Sequence, residues 1–270
     1  MSSTDKVFAG SVPRLYDEYL VPLIFSVYAD DLARRIAALS PSDLLEIATG
    51  TGAVTRAAAA LLPSGVRYVA TDLNEPMLAV AKQRQGDDPR ITWRQADALA
   101  LPFDDAKFDV VCCQFGAMFF PDRSKGYAEA KRVLKPGGTY LLGVWDRIED
   151  NVFADDATVT LGKMFPDDPP LFMARTPHGY HDKAVIKSDL ERAGFKDISI
   201  DTVTAMSRGP SAEYVAIAYC QGTPLRGEIE ARDASKLAAA TDAVAEAIRK
   251  RHGSGPVEAK IQALMITARP

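Results

Sequence analysis

The chain has 270 residues, 47% apolar and 25% charged, and its 32 basic and 36 acidic side chains leave a net charge of −4. Such a composition supports an ordinary hydrophobic core and, with no dense basic run, argues against a nucleic-acid backbone as the main partner. Three cysteines, two of them adjacent at Cys112 and Cys113 in an apolar run, exclude a disulfide framework and read as buried thiols in a reducing compartment. The opening Met-Ser-Ser-Thr-Asp-Lys lacks the basic segment and apolar core of a secretory leader, and no apolar stretch reaches membrane-spanning length. A soluble, cytoplasmic protein without a membrane span is expected.

In chain order, residues 8–39 are predicted helical. They carry Tyr16, Tyr19, Phe25 and Tyr28 among Pro13 and Pro22, and either pack on a sheet edge or form a lid. Five apolar runs then read as strands, at 44–48, 66–72, 91–95, 108–114 and 139–145. Helical spacing fills 53–62, 76–83 and 123–134 between them. This alternation implies parallel βαβ units with right-handed crossovers. Lys135-Pro136-Gly137-Gly138 ends the third helix and turns the chain into a strand.

Residues 147–181, rich in Asp and Pro, read as a helix followed by irregular chain. Residues 182–193 are predicted helical and stopped by Gly194, and 198–206 alternates like a strand. Residues 211–220 and 226–251 follow as helices, the second long and alanine-rich, and 261–268 forms a last strand. No internal repeat is present, so one α/β domain with added helices is expected.

The chemistry is concentrated in Asp43-Leu-Leu-Glu-Ile-Ala-Thr-Gly-Thr-Gly-Ala-Val-Thr55, an apolar strand running into a small-residue turn and a helix. Asp72 ends the next apolar run. Such a turn lets backbone N–H groups approach a ligand, and a carboxylate on the neighbouring strand can hold two ribose hydroxyls. A P-loop is excluded, because no lysine lies in residues 48–55. A dinucleotide fingerprint would need a third glycine where Thr55 stands, so that reading stays open only weakly on this motif.

Taken together, several motifs resemble the class I S-adenosylmethionine-dependent methyltransferases. Glu46-x-Ala48-x-Gly50-x-Gly52 is similar to their glycine-rich motif, departing at Ala48, where glycine is usual. Ala70-Thr-Asp72-Leu-Asn-Glu-Pro-Met77 resembles their second-strand motif, and Gln95-Ala-Asp97-Ala98-Leu-x-Leu-Pro-Phe103 their adenine-side motif. Phe108-Asp-Val-Val-Cys-Cys-Gln114-Phe115-Gly resembles their fourth strand, and Val133-Leu-Lys-Pro-Gly-Gly138 the turn into the fifth. The resemblance covers roughly residues 43–145 and is nearest in style to the ubiquinone and menaquinone C-methyltransferases.

That resemblance implies an α/β fold, a doubly wound, seven-stranded Rossmann-like sheet in the order 3-2-1-4-5-7-6 with the last strand antiparallel and an added helical cap. Residues 1–40 would form an N-terminal lid, 41–146 the cofactor-binding core and 147–181 with 207–255 cap insertions. Residues 182–206 and 256–270 would complete the core. S-adenosylmethionine would be the cofactor, leaving S-adenosylhomocysteine. Asp72 would take the ribose hydroxyls and Asp97 the adenine amino group, unless it merely caps a turn. The backbone of Ala98 would serve a ring nitrogen. Leu73 and Met77 would sandwich the adenine, and Ala48, Gly50 and Gly52 would face the methionine portion. Gln114 and Phe115 would line the path to the acceptor. Glu46 would orient the loop or touch the cofactor, and Tyr16 would close over it.

No catalytic residue is singled out, because a sulfonium is already a good leaving group and alignment supplies most of the acceleration. His178, Tyr180 and His181 lie where the family builds its substrate cap and are candidate acceptor contacts, with Asp182 as a helix cap the plain alternative for that segment. His252 is expected to be solvated. Two nearby histidines without a third ligand do not make a metal site. Met164, Phe165, Phe172 and Met173 point to a small apolar or aromatic acceptor. The rivals are a protein or nucleic-acid methyltransferase and a non-catalytic S-adenosylmethionine-binding module. The acceptor's identity and the oligomeric state are not encoded in these motifs.

Overall fold

The computed structural model describes Phe8 and residues 10–270. The reading of the opening residues and part of the 1–40 lid fall on residues 1–7 and 9 and lie outside the described residues. Seven strands form one mixed sheet in the expected order β3-β2-β1-β4-β5-β7-β6. They are β1 Asp43–Ile47, β2 Arg67–Asp72, β3 Ile91–Gln95, β4 Phe108–Gln114, β5 Leu134–Trp145, β6 Lys196–Gly209 and β7 Val257–Arg269. β1 pairs in parallel with β2 and β4, β2 with β3, and β4 with β5. Every residue of β1 is buried, as a central strand covered on both faces requires.

The chain divides into two compact units. One contains Ser26–Val144, Tyr180–Val203 and Ala263–Pro270, hence all of β1 to β4 with the helices between them. Its helices include α2 Ser26–Ala38, α3 Ala53–Leu61, α4 Glu75–Gln85, α5 Arg123–Val133 and α8 Lys183–Arg192. α2 packs on α3, which follows β1 across the turn 48–52, and α4 follows β2 across Leu73 and Asn74. Lys135-Pro136-Gly137-Gly138 is not a separate turn, as the sequence reading has it, but part of β5. α5 stops at Val133 because the residue before a proline prefers extended backbone. The pairing register slips between Phe108 and Val110, and Gly137 at φ 78° absorbs the extra residues as a bulge.

The other unit contains the chain up to Phe25, Trp145–Gly179 and Thr204–Gln262. It holds α1 Val12–Leu15, the π-helical stretch Tyr16–Phe25, α6 Val152–Met164, α7 Phe172–Arg175, α9 Ala212–Gln221, α10 Leu225–Asp233 and α11 Leu237–His252. Pro22 lies inside the π-helical stretch, where the wider turn accommodates a residue with no N–H to donate. The single helix expected over 226–251 is broken. Asp233 turns extended and accepts bonds from the N–H and hydroxyl of Ser235, so a 3₁₀ turn, Ala234–Lys236, separates α10 from α11. His252 is not solvated as expected: its Nε2 lies 2.8 Å from Asp156 Oδ2, and its ring stands edge-on to Phe153. Among the described residues no helix is long and apolar enough to cross a membrane.

Candidate functional site

The turn after β1 is built from three left-handed residues, Ala48 at φ 56°, Gly50 at 58° and Gly52 at 82°. Thr49 N–H donates to the Thr71 carbonyl (2.9 Å), which fastens the turn to β2. Gly52 is required twice over. Its φ favours glycine, and a Cβ there would lie 3.1 Å from Ala81 Cβ and 3.3 Å from Arg56 Nη1. Ala48 is more than a small stand-in for glycine. A left-handed alanine costs roughly 1–2 kcal/mol, and its methyl group fits only because position 116 has none. A Cβ on Gly116 would lie 2.5 Å from Ala48 Cβ.

Below the turn, Glu46 is 2% exposed. Tyr68 OH donates to its Oε2 at 2.5 Å and Thr55 Oγ1 at 2.6 Å. Thr55 is therefore left to accept from Thr49 Oγ1 at 2.8 Å, so the loop hydroxyl runs through Thr55 to the carboxyl. Burial pushes the Glu46 carboxyl up to about 7 despite these donors. The structure thus gives Glu46 a loop-bracing position. Thr55, which breaks the dinucleotide pattern in sequence, is the residue that links the brace to the loop. Neither Thr49 nor Tyr68 was singled out from sequence; the signal is a buried carboxylate that needs donors.

Asp72, at the end of β2, is 7% exposed, and burial raises its carboxyl above the ordinary value. Gly50 N–H donates to its Oδ2 and Asn74 N–H to its Oδ1, both at 2.8 Å. The carboxylate is clamped between the glycine turn and the start of α4. Oδ2 keeps a second lone pair for an outside donor, while Oδ1 also takes a long bond from Asn74 Nδ2 at 3.4 Å, which a better-placed outside donor would displace. Met77 on α4 reaches the same turn, its Cε lying 3.6 Å from where a Gly50 Cβ would be. Leu73 is 45% exposed beside them. Such a large apolar side chain next to a buried carboxylate has no core to fill.

Asp97 and Ala98 follow β3. Asp97 Oδ1 accepts from Leu99 N–H at 2.9 Å, so the turn-capping role holds for that oxygen, and Ala98 is buried. At the end of β4, Gln114 Oε1 is buried with no hydrogen-bond donor among the described residues. Phe115 sits at φ 53°, a genuine outlier for a bulky side chain, held by its N–H on the Gly143 carbonyl at 2.8 Å and its ring edge-on to Tyr28. Gly50 and Asp72 are thus joined by a hydrogen bond with Met77 reaching the same turn, while Ala48 and the Phe115–Gly116 corner meet through the missing Cβ.

The acceptor candidates part company. Tyr180 is 3% exposed. Its hydroxyl donates to Asp189 (2.7 Å) and accepts from Tyr127 (3.3 Å), and Arg123 lies over its ring. Its polar atom is therefore engaged in a buried network. His181 is exposed, and Asp182 beside it caps α8 through Ala184 N–H and Val185 N–H. In the other unit, His178 is buried against Trp145 with Nδ1 2.8 Å from the Asp146 carbonyl, and Tyr16 stacks on Phe25.

A family model described as a methyltransferase domain matches residues 45–142. The demethylmenaquinone methyltransferase of Clavibacter sepedonicus is 37% identical over 49% of this chain and 57% of its own length. The ubiquinone/menaquinone biosynthesis C-methyltransferase UbiE of Ralstonia pickettii is 32% identical over 63% of this chain and 74% of its own length. The chain spans less than three-fifths of the first two curated relatives it matches, 57% and 59%. Phosphoethanolamine N-methyltransferase 2 of Haemonchus contortus, solved with phosphomonomethylethanolamine and S-adenosylhomocysteine, superposes over all of this chain and 61% of its own with a TM-score of 0.62. At 19% identity that likeness shows the shared fold. With the sheet order, the clamped Asp72 and these relatives in hand, the chain belongs to the class I S-adenosylmethionine-dependent methyltransferases and is similar to their ubiquinone/menaquinone C-methyltransferase group.

Proposed function

We propose that the protein transfers the methyl group of S-adenosylmethionine to a small apolar or aromatic acceptor, with a quinol-type ring as the class to test first. The observation that carries the reading is the Asp72 clamp: a buried carboxylate fixed by Gly50 N–H and Asn74 N–H, with a lone pair open on Oδ2 and only the long Asn74 Nδ2 contact to displace on Oδ1 for two hydroxyl donors. The acceptor class follows from the names of the curated relatives, which act in ubiquinone and menaquinone biosynthesis.

The donor set suits the cofactor. Asp72 would hold the ribose, Leu73 and Met77 the faces of the adenine, and Asp97 with the Ala98 N–H its edge. Ala48, Gly50 and Gly52 would keep backbone close to the methionine portion, with Glu46 bracing them and Tyr16 covering the bound molecule. The orphaned Gln114 Oε1 supplies an acceptor for an ammonium or hydroxyl donor, and Phe115 excludes water beside it. S-adenosylmethionine, when bound, supplies an electrophilic methyl group on a sulfonium. The protein then contributes alignment and desolvation, which suffice for much of the acceleration. Acceptor choice is assigned to residues 1–40, 147–181 and 207–255, which carry Met164, Phe165, Phe172 and Met173, with His178 and His181 as polar contacts. A cytoplasmic location belongs to the same proposal.

The test is transfer of labelled methyl from S-adenosylmethionine to a short-chain naphthoquinol or benzoquinol, run beside protein and oligonucleotide acceptors. Labelled quinol is the expected product. Label only in the macromolecular acceptors would replace this reading. Tight cofactor binding with no transfer to any acceptor would favour a binding module.

A further inference from the structure

A cavity of about 540 Å³ lies on the sheet unit away from the cofactor turn, lined by the first residues of β2, by β3 and by the loop that leads into β4. Four of its walls are cationic, Arg67, Arg90, Arg94 and Lys107, and Asp43 is the one acidic side chain. Two of the four are already neutralised, Arg67 by Asp43 and Arg90 by Asp88. The other two are not: among the described residues, neither the Arg94 guanidinium nor the Lys107 ammonium has an ion-pair or hydrogen-bond partner, although the Lys107 backbone N–H donates to the Val133 carbonyl. Both instead lie against one aromatic ring, with the Arg94 guanidinium 5.2 Å and the Lys107 ammonium 5.4 Å from the Phe103 centroid. A ring quadrupole attracts a cation without cancelling its charge.

On a protein of net charge −4, two uncompensated cations held beside one ring within a pocket form a preorganised positive centre. We infer that this cavity binds a small soluble polyanion of the pyrophosphate type, its oxygens accepting from Arg94 and Lys107 together. A planar guanidinium beside a point ammonium suits a pair of adjoining phosphate groups. The volume falls within the range of small-molecule sites, and the cations do not extend as a stripe that would follow a nucleic-acid strand. Arg67 and Asp72 are the two ends of β2, so the site and the cofactor clamp are separated by roughly 16 Å of strand and can be filled together.

Calorimetric titration of the full chain with inorganic pyrophosphate, saturated beforehand with S-adenosylhomocysteine, tests this. The expected result is saturable, salt-sensitive binding that survives the cofactor product and weakens roughly tenfold or more in R94Q/K107Q, which loses two charge-assisted contacts. Both side chains are exposed, so the variant is expected to keep the wild-type melting temperature and product affinity. No saturable binding, equal binding by the variant, or displacement by S-adenosylhomocysteine would each overturn the inference. So would stronger binding of a single-stranded oligonucleotide than of pyrophosphate.

Discussion

Gly116→Ala should destabilise the protein through contacts with Ala48 and Cys113, and Ala48→Gly should restore the part of the loss that comes from Ala48. Gly116 has φ −102° and ψ −37°, a conformation alanine adopts freely, so the backbone does not object. The obstacle is steric. The new Cβ would lie 2.5 Å from Ala48 Cβ and 2.8 Å from Cys113 Sγ, while Ala48 Cα would remain at 3.9 Å. Overpacking of this kind costs about 1–3 kcal/mol. Removing the Ala48 methyl group clears the worst contact and also relieves a left-handed alanine worth roughly 1–2 kcal/mol, against about 0.5–1 kcal/mol of glycine chain entropy. Ala48→Gly alone should thus be neutral or slightly stabilising. The pair should show a favourable coupling of about 1 kcal/mol or more, within the usual range for side chains in contact. Urea denaturation of wild type, both single variants and the double variant gives that coupling directly. Strict additivity would refute the argument that the glycine missing from position 48 has its counterpart at 116.

Three further outcomes follow from the site. Asp72→Ala should weaken S-adenosylhomocysteine on the order of tenfold to a hundredfold by calorimetry, two charge-assisted bonds being lost; unchanged affinity would remove Asp72 from the cofactor site. The Glu46 carboxyl is raised from its ordinary 4.5 to about 7, so the folded state binds more protons than the unfolded chain between those values. Stability is then greatest below pH 4.5 as far as this group is concerned and falls as pH rises toward 7, by at most on the order of 3 kcal/mol. Glu46→Gln should flatten that slope in denaturation measured across the window, and a slope unchanged in the variant would assign it elsewhere. Tyr180→Phe should cost about 1–2 kcal/mol of stability through Asp189 and Tyr127 while leaving the acceptor KM unchanged. A raised KM with unaltered stability would return Tyr180 to the acceptor site.

The central strands were readable because parallel strands buried on both faces are continuous apolar runs, as in β4, which coincides with its predicted range; the edge strand β3 coincides as well although most of it is exposed. The break at Asp233 was not, because alanine-rich helical spacing continues across it and only a side-chain bond to Ser235 stops the helix. His252 shows the same limit. A polar neighbourhood in sequence reads as solvent exposure, yet the ring pairs with Asp156, ninety-six residues away along the chain.

What the sequence by itself determined is the order of the elements and the kind of ligand: glycine spacing, an acid at the end of the second strand and the motifs after it act locally or between adjacent strands. Which groups carry the loop was decided only by tertiary structure. Thr55 read as a missing glycine until Glu46 and Tyr68 closed around its hydroxyl, and Ala48 read as a tolerated change until Gly116 was found opposite its methyl group. Close packing makes one residue's fitness depend on partners remote in the chain, and no local pattern records that dependence.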